Sequence, residues 1–359
     1  MQELSSDFEI VALSSEGPEQ ASLRDELGVR TITVEIKRRP SLFKDIVSLV
    51  KLVRVFRKEK PLIVHSMSAK CGLVSMMAAK IAGVPHRVHS FTGLAFPTAT
   101  GLSRIILMIT EKLTCMASNH LLPEGNGVKG ALQQYITKKE MTVLGYGNIR
   151  GIDLVQYDRT SEVIEAASRI KIQGVFTFLF VGRIVKDKGI NELVAAFKKL
   201  YGSHPDVRLI LVGPYEDDID PISLETREAI SCYNGITAVG KKTGVDLLSY
   251  YAASDCFVFP SYREGFPNVV IEAGAMGLPS VVTDIFGSNE IIIEGVNGLI
   301  VPPRDEDALY EAMKRMVEDN GLRIRLASNA REMIASRYEE SFVRRCLIDY
   351  YHQIIKGKE

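Results

Sequence analysis

Net charge is missing from this sequence: 44 Lys and Arg offset 44 Asp and Glu across 359 residues. A nucleic-acid binder needs a basic footprint, so the overall balance argues against that class. Paired cysteine spacing is missing too. Cys71, Cys115, Cys232, Cys256 and Cys346 are scattered without any CxxC, which argues against a disulfide framework or a cysteine-built zinc site and reads as reduced cytosolic thiols. No apolar run reaches membrane-spanning length, since Arg104 and Glu111 bound "IILMIT". No signal peptide is visible at the start. A cytoplasmic protein, at most peripheral to a membrane, is expected.

What is present is alternation. At this length two domains are expected, and 46% apolar with 25% charged residues is ordinary for a globular chain. From residue 174 the short apolar runs "FTFLFVG", "VRLILVG", "GITAVG", "DCFVFPS", "PSVVTD" and "GLIVPP" are separated by helix-length segments such as 189–202 and 245–253. Strands bounded by Gly or Pro and joined by helices predict βαβ units and a parallel sheet covered on both faces. The first part repeats the theme with "FEIVALSS", "RTITVEI", "PLIVHS", "HRVHSF", "NHLLPE" and "EMTVLGYG". Two Rossmann-like domains follow, 1–152 and 153–339, meeting near "GYGNIRGIDLVQYDRTSE". A terminal helix over 340–359, with an apolar stripe from Phe342 to Ile354, is free to pack back on the first of them. One element of the pattern is lacking: no strand with a glycine-rich turn precedes "MQELSSDFEI", so the first domain is expected to miss its first strand.

Two stretches carry chemistry. "REGFPNVVIEAGAMGLPS" places Glu264 in a turn and Glu272 eight positions later inside an apolar helix. That helix is expected to begin near Pro267, leaving the amides of Phe266 to Val269 available to an anion or to sugar hydroxyls. Neither glutamate has a basic residue at helical spacing. Each therefore reads equally as a solvated acid or as an acceptor for ligand hydroxyls. "FLFVGRIVKDKG" ends a strand at Gly182 and follows it with Arg183, Lys186 and Lys188. Cations just beyond a parallel strand suit a diphosphate, Arg as a fork and Lys as a point charge.

Taken in order, "FVGRIVKDKG", "EGFPNVVIEAGAMGLPSVVT" and "EGVNGLIVPP" resemble glycosyltransferase family four, whose GT-B fold sets two Rossmann-like domains face to face. The likeness extends to "KPLIVHSMSAKCGLVSMMAAKIAGVPHRVHS" and "GNIRGID", and so covers most of the chain. It implies that Glu264 contacts the donor sugar and Glu272 the ribose, while Arg183 and Lys188 hold the diphosphate. Gly182, Gly265, Phe266, Pro267, Asn268 and Val269 would complete the donor site, and Gly240 in "AVGKKTG" would flank the base. It further implies a retaining, metal-independent transfer from a nucleotide sugar, UDP by family frequency, with no cofactor. The acceptor would be a saccharide or polyprenyl-linked saccharide, used at the inner face of the membrane in surface-polysaccharide assembly. On the acceptor side, "HSFTGLAF" departs from the family's frequent histidine turn: Thr92 and Gly93 occupy it, and His89 lies three residues earlier. His89 is then more a structural histidine than a catalytic one. His65, at the end of "PLIVH", is equally ambiguous.

Other features are weaker. "GNGVKG" at 125–130 satisfies a dinucleotide fingerprint but sits after a fifth strand instead of a first. "DID" at 218–220 and "DED" at 305–307 mimic metal loops and read better as solvated acids, so no metal is expected. The segment 37–60 holds nine Lys and Arg against two acids, net +7, on a helical apolar stripe. It is either a membrane-surface helix or a sheet-packing helix with a basic outer face. Two rival functions stay open, a non-catalytic nucleotide-sugar binder and a nucleotide-sugar epimerase.

Overall fold

The computed structural model describes residues 7–36, 41–218 and 220–357. It divides into two units, Met1–Ile149 with Val343–Glu359, and Arg150–Phe342. In the first unit β1 (Val11–Ser14) and β2 (Arg30–Thr33) form one parallel sheet, while β3 (Ile63–Met67), β4 (His86–Phe91) and β5 (His120–Pro123) form another. Helices α1 (Pro18–Asp25), α2 (Leu42–Glu59), α3 (Ala69–Ala82), α4 (Gly101–Ala117) and α5 (Asn126–Tyr135) follow the strands in turn. Among the described residues no strand joins the two sheets. The fingerprint-like "GNGVKG" is the start of α5, with Gly125 as its N-cap after β5.

One expected strand is absent. Residues 140–147 run beside β5 through a single backbone bond, Thr142 N–H to the Leu121 carbonyl at 3.1 Å. The chain then turns, Gly147 N–H bonding the Leu144 carbonyl, before a ladder can form.

The second unit has α6 (Ser161–Ser168), β6 (Phe176–Val181), α7 (Ile190–Ser203), β7 (Val207–Val212), α8 (Leu224–Cys232), β8 (Ile236–Ala238), α9 (Gly244–Ala253) and β9 (Cys256–Phe259). It continues with α10 (Asn268–Ala275), β10 (Ser280–Thr283), α11 (Ser288–Ile291), β11 (Gly298–Val301), α12 (Glu306–Glu318) and α13 (Asn320–Tyr338). Its six strands are all parallel, in the order β11-β10-β9-β6-β7-β8. β6 reads "FTFLFV" with no polar alternation because helices cover both faces, and Phe178, Leu179 and Phe180 are fully buried. α7 buries Ile190, Leu193, Val194, Phe197 and Leu200, the i, i+3, i+4, i+7 pattern of a helix lying on that core. The acidic triplet at 305–307 is a helix start: Asp305 caps α12 by accepting the Ala308 N–H, and Asp307 pairs with Lys199.

α14 (Glu340–Lys356) closes the chain, and its Tyr350 and Ile354 join Val88, Leu122 and Leu144 in a core cluster of the first unit.

Candidate functional site

The chain of the second unit places β6 centrally, lays β7 and β8 to one side, then returns to add β9, β10 and β11 on the other. The loops leaving β6 and β9 therefore part company over the strand ends, and such a switch point is where open α/β sheets bind ligands. Gly182, Arg183 and Lys188 leave β6, and Glu264 to Asn268 leave β9.

The structure joins them. Lys188 Nζ donates to Glu264 Oε1, an ion pair between residues 76 positions apart. Their side chains retain only 13% and 17% exposure, so the pair is largely shielded from solvent. Ser261 Oγ donates to the same carboxylate oxygen at 2.7 Å, and the ammonium lies 5.5 Å from the centre of the Phe259 ring. A glycine lets Lys188 approach so closely. Gly189 has φ +71°, and a Cβ there would sit 2.1 Å from the Pro260 carbonyl oxygen. Asp187 stitches the two loops: its carbonyl accepts the Tyr262 N–H at 2.9 Å, and its carboxylate pairs with Arg263 at 3.3 Å. Arg183 pairs with Glu216 at 2.7 Å, and that hydrogen bond raises the guanidinium above its already high ordinary value.

Pro267 is the N-cap of α10, which aims the amides of residues 268 and 269 and the positive end of the helix dipole at the same crevice. The Phe266 ring is buried against Tyr338, centroids 5.6 Å apart, so this residue offers the site its backbone alone. Glu272 faces inward. It is 8% exposed, accepts the Tyr251 hydroxyl at 3.0 Å and is also bonded by the Tyr157 phenol. Burial first, and the Glu272 charge second, push both phenols well above their ordinary range, so both remain protonated donors. Glu272 lines a pocket of about 120 Å³ with Arg150, Gly151, Asp153, Tyr157 and Asn268. Gly240 follows β8, two strands from β6, and its carbonyl accepts the Gly213 N–H at 2.9 Å.

Ser261, Glu216, Asp187, Tyr157 and Tyr251 carry no local signal as site residues. Tyr251 stands in "LLSYYAA", an apolar helix, and only the fold brings it beneath Glu272.

In the first unit, Thr92 and Gly93 lie in the loop that leaves β4, Thr92 exposed. His89 is 1% exposed on β4, its Nδ1 2.8 Å from Ser66 Oγ and its ring edge-on to Phe91. Both ring nitrogens of His65 are engaged, Nδ1 with Tyr351 Oη at 2.5 Å and Nε2 with Ser90 Oγ at 2.7 Å. Desolvation holds His89 down to about 3 and His65 down to about 4. The same effect lifts the buried carboxyls of Glu111 and Glu124, each to about 7.

These groups act on stability with opposite signs. Below the ordinary histidine value the unfolded chain takes up protons that native His65 and His89 refuse, so stability falls with falling pH. Between the ordinary carboxylate value and 7 native Glu111 and Glu124 hold protons that the unfolded chain releases, so stability falls with rising pH. The Glu111→Gln variant is therefore expected to be more stable than the parent at pH 8, by on the order of 2 kcal/mol, with the difference shrinking to below about 1 kcal/mol at pH 5. Thermal melts at the two pH values check this, and an identical difference at both would refute it.

Comparison with known proteins identifies the family and the fold. Residues 163–333 match the family model "Glycosyl transferases group 1", and residues 1–147 match "Glycosyl transferase 4-like domain". The chain is 30% identical over 354 residues to the capsular polysaccharide biosynthesis glycosyltransferase CapM of Staphylococcus aureus, covering 98% of this chain and 92% of that one. The chain belongs to glycosyltransferase family four. This family-four enzyme is also 28% identical over 310 residues to the Escherichia coli UDP-Gal:alpha-D-GlcNAc-diphosphoundecaprenol alpha-1,3-galactosyltransferase, covering 84% and 78% of the two chains. Among solved structures, sucrose-phosphate synthase from Thermosynechococcus elongatus superposes with TM-score 0.83 at 21% identity, covering 99% of this chain and 91% of that one. Anabaena Alr3699/HepE in complex with UDP superposes with TM-score 0.79 at 19% identity, covering 96% and 92%. The fold is GT-B.

Proposed function

We propose that this glycosyltransferase moves a hexose or N-acetylhexosamine from a UDP-sugar to a lipid-linked saccharide, with retention of configuration. The setting is surface-polysaccharide assembly at the cytoplasmic face of the membrane. The observation that carries the reading is the Lys188–Glu264–Ser261 cluster standing beside the start of α10 at the switch point. The relatives' substrates supply the donor and acceptor classes: one uses a UDP-sugar and an undecaprenol diphosphate-linked sugar.

The ammonium of Lys188 has three N–H donors, and Glu264 takes one. The others can turn to phosphate oxygens, as can the Arg183 nitrogens that Glu216 does not engage, with the positive end of the α10 dipole beside them. As the bond from the anomeric carbon to the phosphate oxygen breaks, negative charge collects on the diphosphate, where these fixed cations and dipoles stabilise it. The acceptor oxygen bonds to the anomeric carbon from the same face, and its proton passes to the departing phosphate oxygen. Glu264 accepts from donor-sugar hydroxyls, and Glu272 from the ribose. The cationic work is assigned to protein side chains, so no metal or cofactor is invoked.

Thermal shift with UDP, GDP and ADP tests the donor, because a ligand bound only by the native state raises the melting temperature. UDP is expected to give the largest shift, and Glu272→Gln to remove most of it. NMR of the product anomer tests retention, and an inverted product would end that part of the reading. A chain that binds UDP and transfers nothing to any lipid-linked saccharide would be a binder instead.

A further inference from the structure

Helix α4 is turned outward. Leu102, Ile105, Ile106, Ile109, Leu113 and Met116 are exposed, Leu102 by 71%. At 100° per residue they fall within one stripe about 100° wide that runs the length of the helix, about 25 Å. The opposite face carries the polar groups: Glu111 and Thr114 are buried, and Arg104 turns to the Tyr135 ring at 5.7 Å. A surface helix normally does the reverse. An apolar patch of this extent marks an interaction site.

The neighbours continue the patch. α3 touches both α2 and α4, and it exposes Met77 and Ile81. α2 buries Leu52 and Phe56 in the core and exposes Phe43, Ile46, Val47 and Val50 along its first half. In its second half the same outer face carries Arg54 and Arg57, with Lys51 beside them, all exposed. Of the basic segment expected at 37–60, residues 37–40 lie outside the described residues. Exposed Lys112 borders the α4 stripe. The acids nearby are engaged elsewhere: Glu111 points inward, Asp45 pairs with Lys70 and Glu59 with Arg30.

We propose that the outer face of α4, with α3 and α2 beside it, docks on an anionic phospholipid surface, α4 lying in the interface plane. An apolar stripe bordered by cations and free of acids complements an anionic bilayer on both counts. A second copy of the chain would set the same Lys and Arg against each other, which disfavours that occupant. The purpose of docking rests on the lipid-linked acceptor proposed above, but vesicle binding is read without any transfer, so the two ideas fail separately.

The full chain is sedimented with vesicles of phosphatidylcholine alone and of phosphatidylcholine with phosphatidylglycerol. Preferential pelleting with the anionic vesicles is expected. The double variant Ile105→Glu, Ile109→Glu should weaken it roughly tenfold or more. The charge variant Lys51→Glu, Arg54→Glu, Arg57→Glu should weaken it comparably and abolish its salt dependence. These positions are exposed, so unchanged melting temperatures are expected and show that the fold is kept. Pelleting that ignores the Ile105/Ile109 change overturns the proposal. So does a parent dimer in light scattering that the same change converts to monomer, since a second copy would then cover the stripe.

Discussion

Lys188→Ala is expected to lower sugar transfer by about 10²–10³-fold, with the melting temperature kept near that of the parent. The ammonium is the cation held directly against Glu264, and removing it deprives the leaving diphosphate of fixed charge at the moment that charge develops. The loss should therefore appear in kcat as well as KM. Glu264→Gln should cost a similar factor, because the amide keeps the shape but replaces one acceptor oxygen by a donor, opposite sugar hydroxyls and the Lys188 ammonium alike. The fold should tolerate both changes. The pair is shielded but stands beyond the strand ends, Lys188 in a short turn and Glu264 in a loop, and neither belongs to the hydrophobic core. Near-normal rates in both variants would remove the site assignment.

Gly213→Ala is expected to destabilise the second unit by more than about 3 kcal/mol, and in cells to yield little soluble protein. Gly213 follows β7 with φ +150°, and a Cβ there would lie 1.7 Å from the Gly182 carbonyl oxygen. Two faults coincide: a backbone angle that side chains rarely adopt, and a clash with main chain that cannot swing away. The displaced peptide is the one leading into Arg183, so whatever folds should also lose its UDP-induced thermal shift. Chemical denaturation measures the first effect. A variant within 1 kcal/mol of the parent would mean that the two loops are not locked as described.

The second unit was legible in the sequence because its strands are continuous apolar runs closed by Gly or Pro. "FTFLFVG" and "VRLILVG" end at Gly182 and Gly213, the very residues whose backbones meet. What stayed hidden was partnership. Lys188 and Glu264 each looked available, because local spacing shows only neighbours within a turn and their contact spans 76 residues. Glu272 read evenly as a solvated acid for the same reason, since Tyr157 and Tyr251 arrive from other elements. In the first unit "EMTVLGYG" misled because its composition suits a strand, while its single bond to β5 and its early turn leave no length for one. The basic count at 37–60 drew attention to α2 and away from α4, whose apolar positions look like core until the fold exposes them.

The cations around the crevice do not wait unaccompanied. Arg183 stands with Glu216, Lys188 with Glu264 and Arg263 with Asp187. Inorganic phosphate would meet cations that already have carboxylate partners, and so gain less from them. Any anion that draws on Lys188 takes a share of the partner on which Glu264 depends, and leaves that carboxylate short. On the function proposed above, a donor carrying its sugar would bring hydroxyls that make good the shortage, whereas a bare nucleotide would not. Under that reading the ion pair would act as a keeper: it would favour a molecule presenting diphosphate and sugar together, and loosen its hold once the sugar has gone.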